Sequence, residues 1–504
     1  MNVTGPLRLL AAVDPLGKRN YRRHSSAGFQ TGNPGIISRV NLEIEPGAIV
    51  EPLSPSQPNR WTAGTLVYTT AGLAVLFFWL LWGDFSQSMK DRAIFPVAQV
   101  MLRGFSAPDW LVGLLVGSVP AGIGMVLAPI VSVKSDRHRG PWGRRIPFLL
   151  LTSPVILLSM FGLGVAPALG ASLHAHLGPH SPGEMICKVA AFGVFWTIFE
   201  IATVTITALF GALINDVVPR QIMGRFFALF RAVSLIAGVI FNYYLMGKAE
   251  HHYFGIFFGL GLLYAVGFTQ MCLKVREGDY PPPPPREATG VRARAIAPIL
   301  SYLKECFSKP YYLCFFLATT LGLLSFVPVN TFSVYHARSL NVSDDHYGKS
   351  LALSYAISLA LSYPIGIMAD RFHPLRLGII VMTFYSAVTL YGFLFATGMW
   401  TFFAAFVLHT VVSGAYFTGT ASIGQRLLPR DRFAEFTSAA GIVGAVCFMI
   451  LPPTLGIFIQ HMHHNYRYVF LLGSILSGAT VAAYVGLFIQ YQKLGGDAAY
   501  VAPD

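Results

Sequence analysis

Charge is scarce in this chain. Charged residues fill 12% of its 504 positions, about half the roughly 25% usual in soluble domains. Hydrophobic residues reach 54% and the mean hydropathy is +0.57. A water-soluble globular class is excluded and an integral membrane protein is expected. Cysteine is also sparse: Cys187, Cys272, Cys306, Cys314 and Cys447 are scattered without metal-ligand spacing. That argues against a disulfide scaffold and a zinc site alike, and no metal or cofactor is expected. The first 60 residues lack the apolar core of a signal peptide. They read either as a disordered cytoplasmic leader or as sequence ahead of a later start. No HExxH motif, no GxSxG motif and no nucleophile–base pair at credible spacing occurs, so no enzymatic role is expected.

Long apolar runs are what the chain has in abundance. Twelve candidate spans lie near 68–100, 108–131, 146–168, 188–214, 226–247, 252–273, 311–334, 348–369, 376–396, 400–424, 434–459 and 467–491. Most hold about the 20 apolar residues that a bilayer crossing needs. The formal net charge of +13 invites a nucleic-acid reading, but its distribution argues otherwise. Of 36 Lys and Arg, all but Lys90, Arg92, Arg103, Lys188, Lys248, Arg338, Lys349 and Arg467 fall on one side of the alternating spans. This positive-inside pattern puts both termini and the middle loop in the cytoplasm. The expected organisation is an N-terminal segment 1–64, a six-helix bundle 65–273, a linker 274–310, a second six-helix bundle 311–491 and a tail 492–504. Pro281 to Pro285, followed by Arg286, Arg292 and Arg294, suit an extended basic tether on the membrane surface; a proline-rich docking motif is the alternative.

One phrase occurs twice. Ser135-Asp136-Arg137, with Arg144 and Arg145 after it, returns as Gly366-Ile367-Met368-Ala369-Asp370-Arg371. Each copy joins the end of one apolar run to the start of the next, where an acid and a basic cluster must face water. Such a repeat implies two similar halves, as in many secondary transporters. These residues are expected to pair with one another in gating turns.

Several spans carry polar stripes. Neither Leu73–Trp82 nor Ala93–Leu102 alone crosses a bilayer, so Gly83 to Arg92 belongs to one long helix with Asp84, Gln87 and Asp91 on a shared face. That face is expected to look into a cavity. Span four carries Thr197, Glu200, Thr203 and Thr207; span five carries Arg231, Ser234, Gly238 and Asn242. The second half offers Asn330, Tyr355 and Ser358, with His409 read as a hydrogen-bonded packing residue. Charges in hydrocarbon cost several kcal/mol or more, so these groups should meet each other or water. Pro120, Pro129, Pro328, Pro364 and Pro452-Pro453 suggest kinks, tolerated where neighbours satisfy the freed carbonyls.

The doubled Asp-Arg turn resembles the loop signature of the major facilitator superfamily. The string Ser135 to Phe148 is similar to the matching loop of the glycoside–pentoside–hexuronide:cation symporters, which include melibiose permease, and of the related sucrose transporters. The resemblance implies an all-α membrane fold of twelve helices in two six-helix pseudo-repeats. It also implies sugar binding by an acid of the first span, here Asp84 in Gly83-Asp84-Phe85, with Glu200 and Arg231 the matching candidates in spans four and five. The chain departs from that pattern in span two, where Leu111–Val131 holds no acid, and in span eleven, which lacks the expected lysine. Proton coupling through Asp84, Asp91 or Glu200 is therefore favoured over a sodium site.

The expected function is proton-coupled symport of a small polar solute, a sugar or glycoside, by a monomer in the bacterial cytoplasmic (inner) membrane. The alternatives are a transporter of a non-sugar solute and a membrane assembly or pigment-delivery factor on the same scaffold. The latter would need an apolar cavity.

Overall fold

The computed structural model describes residues 60–280, 306–429 and 433–503. The described residues open with a hairpin that spans the expected boundary between leader and first bundle: β1 (Arg60–Ala63) pairs antiparallel with β2 (Leu66–Thr69). Gly64 supplies the positive φ of its turn. The remaining leader and residues 281–305, which carry the polyproline tether, lie outside the described residues.

The other long elements among the described residues are helices. The long helices are α1 (Thr70–Gly104), α2 (Asp109–Arg137), α3 (Ile146–Leu177), α4 (Glu184–Val217), α5 (Met223–Tyr244), α6 (Ala249–Lys274), α7 (Pro310–Ser339), α8 (Asp344–Phe372), α9 (Pro374–Phe395), α10 (Met399–Gly419), α11 (Phe433–His461) and α12 (Tyr468–Lys493). Eleven are long and apolar enough to cross a membrane. The twelfth is α1, 35 residues long, whose apolar run the Gly83–Arg92 stretch interrupts. All twelve expected spans are thus present as helices. Thr69 starts α1 by accepting the Gly72 N–H at 3.1 Å, and Ser343 caps α8, each satisfying a free helix-end donor. Two expected bends are visible: a π-helical turn at Leu114–Ser118 just before Pro120, and a break in α7 between Leu324 and Val327, where Pro328 cannot donate.

Packing repeats at an interval of six helices. In the first half α1 packs on α5 and α6, α3 on α4 and α6, and α2 on α4; in the second, α7 packs on α11 and α12, α9 on α10 and α12, and α8 on α10. Across the two sets α2 meets α11 and α5 meets α8, a pairing that the same interval maps onto itself. The core is aromatic and aliphatic, with Phe192, Trp196 and Phe199 fully buried in one stack.

Both crossings between the sets are closest at the end of the bundle opposite the chain termini, where glycines remove the side chain. Gly113 and Gly117 lie under Pro452, Gly456 abuts the Asp109–Trp110 backbone, and Gly348 abuts the Asn242 carbonyl. Small residues give helices in lipid their closest approach. Polar bonds fasten the same end. Asp109 accepts from His464 Nδ1 at 2.8 Å and from the Tyr466 hydroxyl at 3.1 Å. Arg103 donates to Tyr466 at 3.1 Å, and Arg338 bridges Glu250 and Asp344. These contacts fasten the two sets to each other at this end.

Candidate functional site

Between the two sets of helices lies a cavity of about 700 Å³, within the range of small-molecule sites. Asp91, Arg92 and Gln99 reach it from α1, Arg231 and Ser234 from α5, Asn330 and Thr331 from α7, Tyr355 and Ser358 from α8. Of the residues expected from sequence, Asp91, Arg231, Asn330 and Tyr355 are brought together here. Asp84, Gln87, Thr197 and Glu200 are not on its wall.

The local chemistry explains this division. Lys90 is fully buried; its ammonium pairs with Asp91 Oδ1 at 2.5 Å, reaches Thr203 at 3.4 Å and lies 4.9 Å from the Phe199 ring centre. A single helical step carries Arg92 to the cavity instead. There it donates to Ser234 at 3.1 Å and lies 4.7 Å over the Tyr355 ring of the opposite set. Arg231 also crosses the cavity, donating to the Gly414 carbonyl at 3.3 Å, while its Nε is buried without a partner. It is therefore not a residue reaching back to the membrane surface. Asp84 stands two turns from Asp91, buried, with Ser88 as its donor at 3.4 Å and Oδ2 unpartnered. Glu200, one turn before Thr203 on α4, is buried with Oε1 unpartnered. Thr197 turns back on its own helix, donating to the Gly193 carbonyl.

Asn330 is positioned by a relay. Its Oδ1 can only accept, so the 3.1 Å contact makes His409 Nε2 the donor and leaves Nδ1 to accept from the Tyr385 hydroxyl at 2.8 Å. Asn330, held in this way, lines the cavity. His409 is the hydrogen-bonded residue expected from sequence. A second buried histidine within a helix, His336, emerges because α7 runs to Ser339; it lies between Phe402 and Phe470.

The first doubled turn forms a charge cluster at the terminal end. Arg145 pairs with Asp136 at 2.6 Å, and Arg144 grips Asp216 through two bonds of 2.6 and 3.1 Å. Glu277 accepts three backbone N–H groups, from Arg144, Arg145 and Ile146, at 2.7–2.9 Å, which caps α3. Gly143 adopts φ +97° there, and a Cβ would press on the Glu277 carboxyl. Tyr280 lies 4.0 Å from the Arg144 guanidinium, its phenol pushed up by burial and by the Asp216 and Glu277 carboxylates. Residues 275–280 are thus fastened to the first bundle rather than part of a loose tether. Sequence reading missed Asp216, Glu277 and Tyr280, which are distant in the chain and carry no motif. Arg137 is exposed. In the second copy Gly366 has open space around it and Arg371 is exposed; the Asp370 side chain lies outside the described residues. Arg92, Gln99 and Thr331 are among the cavity residues that sequence reading missed; the seven-residue spacing of Arg92 and Gln99 on α1 is the signal for a shared face.

Twelve helices in two equivalent sets around a central polar cavity define an integral membrane protein with the fold of major facilitator transporters. The chain belongs to the MFS/sugar transport protein family, whose match covers residues 105–426. The superfamily resemblance carried by the doubled turn is borne out. Solved structures of similar fold include the nucleoside transporter NupG (TM-score 0.57, 12% identity, 82% of this chain and 99% of that chain covered). A D-xylose–proton symporter matches at TM-score 0.55 and 14% identity, over 82% and 96%. A bacterial homolog of the human lysosomal transporter Spinster, inward-facing and unoccupied, matches at 0.52 and 15%, over 83% and 94%.

Proposed function

We propose that this protein is a secondary active transporter that carries a sugar or glycoside together with protons by alternating access, with residues 65–273 rocking against 311–491. The observation that carries this reading is the polar cavity between the two sets of helices, which are fastened to each other at one end. With the positive-inside orientation the fastened end is the outer one. Asp91, Arg231, Asn330 and Tyr355 hold the solute, and Gln87 and Thr197 support the helices that present them. Asp84 and Glu200 exchange the coupling proton: each is buried with an unpartnered oxygen, and binding or releasing a proton avoids the cost of an unpaired charge. The turns around Asp136 and Asp370 hold helix ends together and set the balance of conformations rather than the solute affinity. A pigment-delivery role on the same scaffold is disfavoured by the charged lining.

The test is solute accumulation in vesicles with and without an imposed pH gradient. Asp84→Asn and Glu200→Gln should each abolish gradient-driven accumulation while leaving solute exchange. If both variants accumulate solute like the parent, these acids are structural and coupling resides elsewhere.

A further inference from the structure

The cavity wall carries an unbalanced charge. Asp91 is the one carboxylate lining it among the described residues, and Lys90 already neutralises that group. Arg92 and Arg231 line the same cavity without a carboxylate partner. Arg92 rests on a hydroxyl and an aromatic ring, Arg231 on a single carbonyl. Two like charges in a membrane interior are held at a cost that falls when a ligand brings the counter-charge.

We propose that the transported solute is an anion, a small molecule bearing a carboxylate or phosphate group that Arg92 and Arg231 clasp between them. This rests on the transporter reading and narrows its substrate class. A guanidinium presents five N–H donors in a planar fork that matches such oxyanions and is always charged. The Arg231 Nε, buried and unpartnered, is a donor awaiting an acceptor. The rest of the wall suits a hydroxylated body: Asn330, held by His409, lines the cavity, and the Ser358 hydroxyl is buried without a partner. A neutral sugar would satisfy those groups and leave both guanidinium charges uncompensated. Both arginines belong to the first set of helices and touch the second, through Tyr355 and Gly414. An oxyanion drawing the two guanidiniums together would exchange those contacts, so its binding differs between conformations, as a driven change requires.

The experiment uses the full chain in proteoliposomes and matched solute pairs: D-glucuronate against its methyl ester, and D-glucose 6-phosphate against D-glucose. The acids should be taken up and their neutral counterparts not, and the two pairs separate carboxylate from phosphate. R92Q and R231Q should raise the KM for the transported acid roughly 10- to 100-fold, the loss expected for a hydrogen bond to a charged group. R92K and R231K, which keep the charge, should recover part of it; they also control for misfolding, checked by thermal midpoint. Uptake of the neutral members at equal or lower KM overturns the anion assignment and leaves the transporter reading standing. So does a parent-like KM in both glutamine variants. If no member of either pair moves, the anion assignment fails, while the transporter reading still rests on its own pH-gradient test.

Discussion

Gly456→Ala should open the fastened end of the bundle without weakening the fold. Gly456 lies in α11 where that helix crosses the start of α2, and a Cβ there would meet the Asp109 carbonyl and the Trp110 Cα. Backbone atoms cannot rotate aside, so α2 and α11 must move apart at this end. Overpacking of this kind costs about 1–3 kcal/mol, and the cost falls on the closed arrangement alone. The same methyl favours the helix by up to about 1 kcal/mol in every conformation. The thermal midpoint should therefore hold or rise, while the ratio of closed to open molecules falls roughly 5- to 150-fold. The assay is pulsed EPR between spin labels on His180→Cys and Trp400→Cys, both exposed at the fastened end, in a background without the native cysteines. The parent should show one short distance and the variant a longer one. Gly441→Ala, in the same helix with open space around the position, is the control. A Gly456→Ala distance distribution matching the parent's would refute the argument that glycine-mediated backbone approach sets closure.

Glu277→Ala should destabilise the protein by about 1–3 kcal/mol, since it removes a carboxylate accepting three N–H groups at the start of α3. Glu277→Gln, which keeps one acceptor oxygen, should lose less; equal thermal midpoints for parent and Glu277→Ala would contradict this capping role. His373, between α8 and α9, should make stability fall in mild acid. Burial, then the nearby Arg426 and Arg376 charges, hold its imidazole below the ordinary value near 6.5, so the unfolded chain takes up the proton first. Its contribution is present above pH about 6.5 and lost as pH falls through that value toward the lower folded one. Protonation of Nδ1 would also end its acceptance of the Leu375 N–H. His373→Asn, which tolerates the positive φ of this site, should flatten the decline in thermal midpoint between pH 7.5 and 5.5.

The sequence by itself determined the class, the twelve spans and the doubled turn. Hydrocarbon thickness and the cost of buried charge act on each segment separately, so composition and run length suffice to read them. It also marked Asp91, Arg231, Asn330 and Tyr355 as polar residues in apolar helices. Only the tertiary structure decided which of the polar faces meet. Helical periodicity fixes a residue's direction about its own axis and says nothing of what lies opposite. Lys90 and Arg92 are alike in sequence, yet one is sealed against Phe199 and the other crosses a cavity to Tyr355. Asp84 shares a face with Asp91 but stands two turns away, off the cavity wall. Asp216 at the end of α4 and Glu277 just past the end of α6 reach Arg144 and Arg145 because packing brings three helix ends together. Such partners follow from how helices pack on one another, a property of the assembled bundle that no single segment encodes.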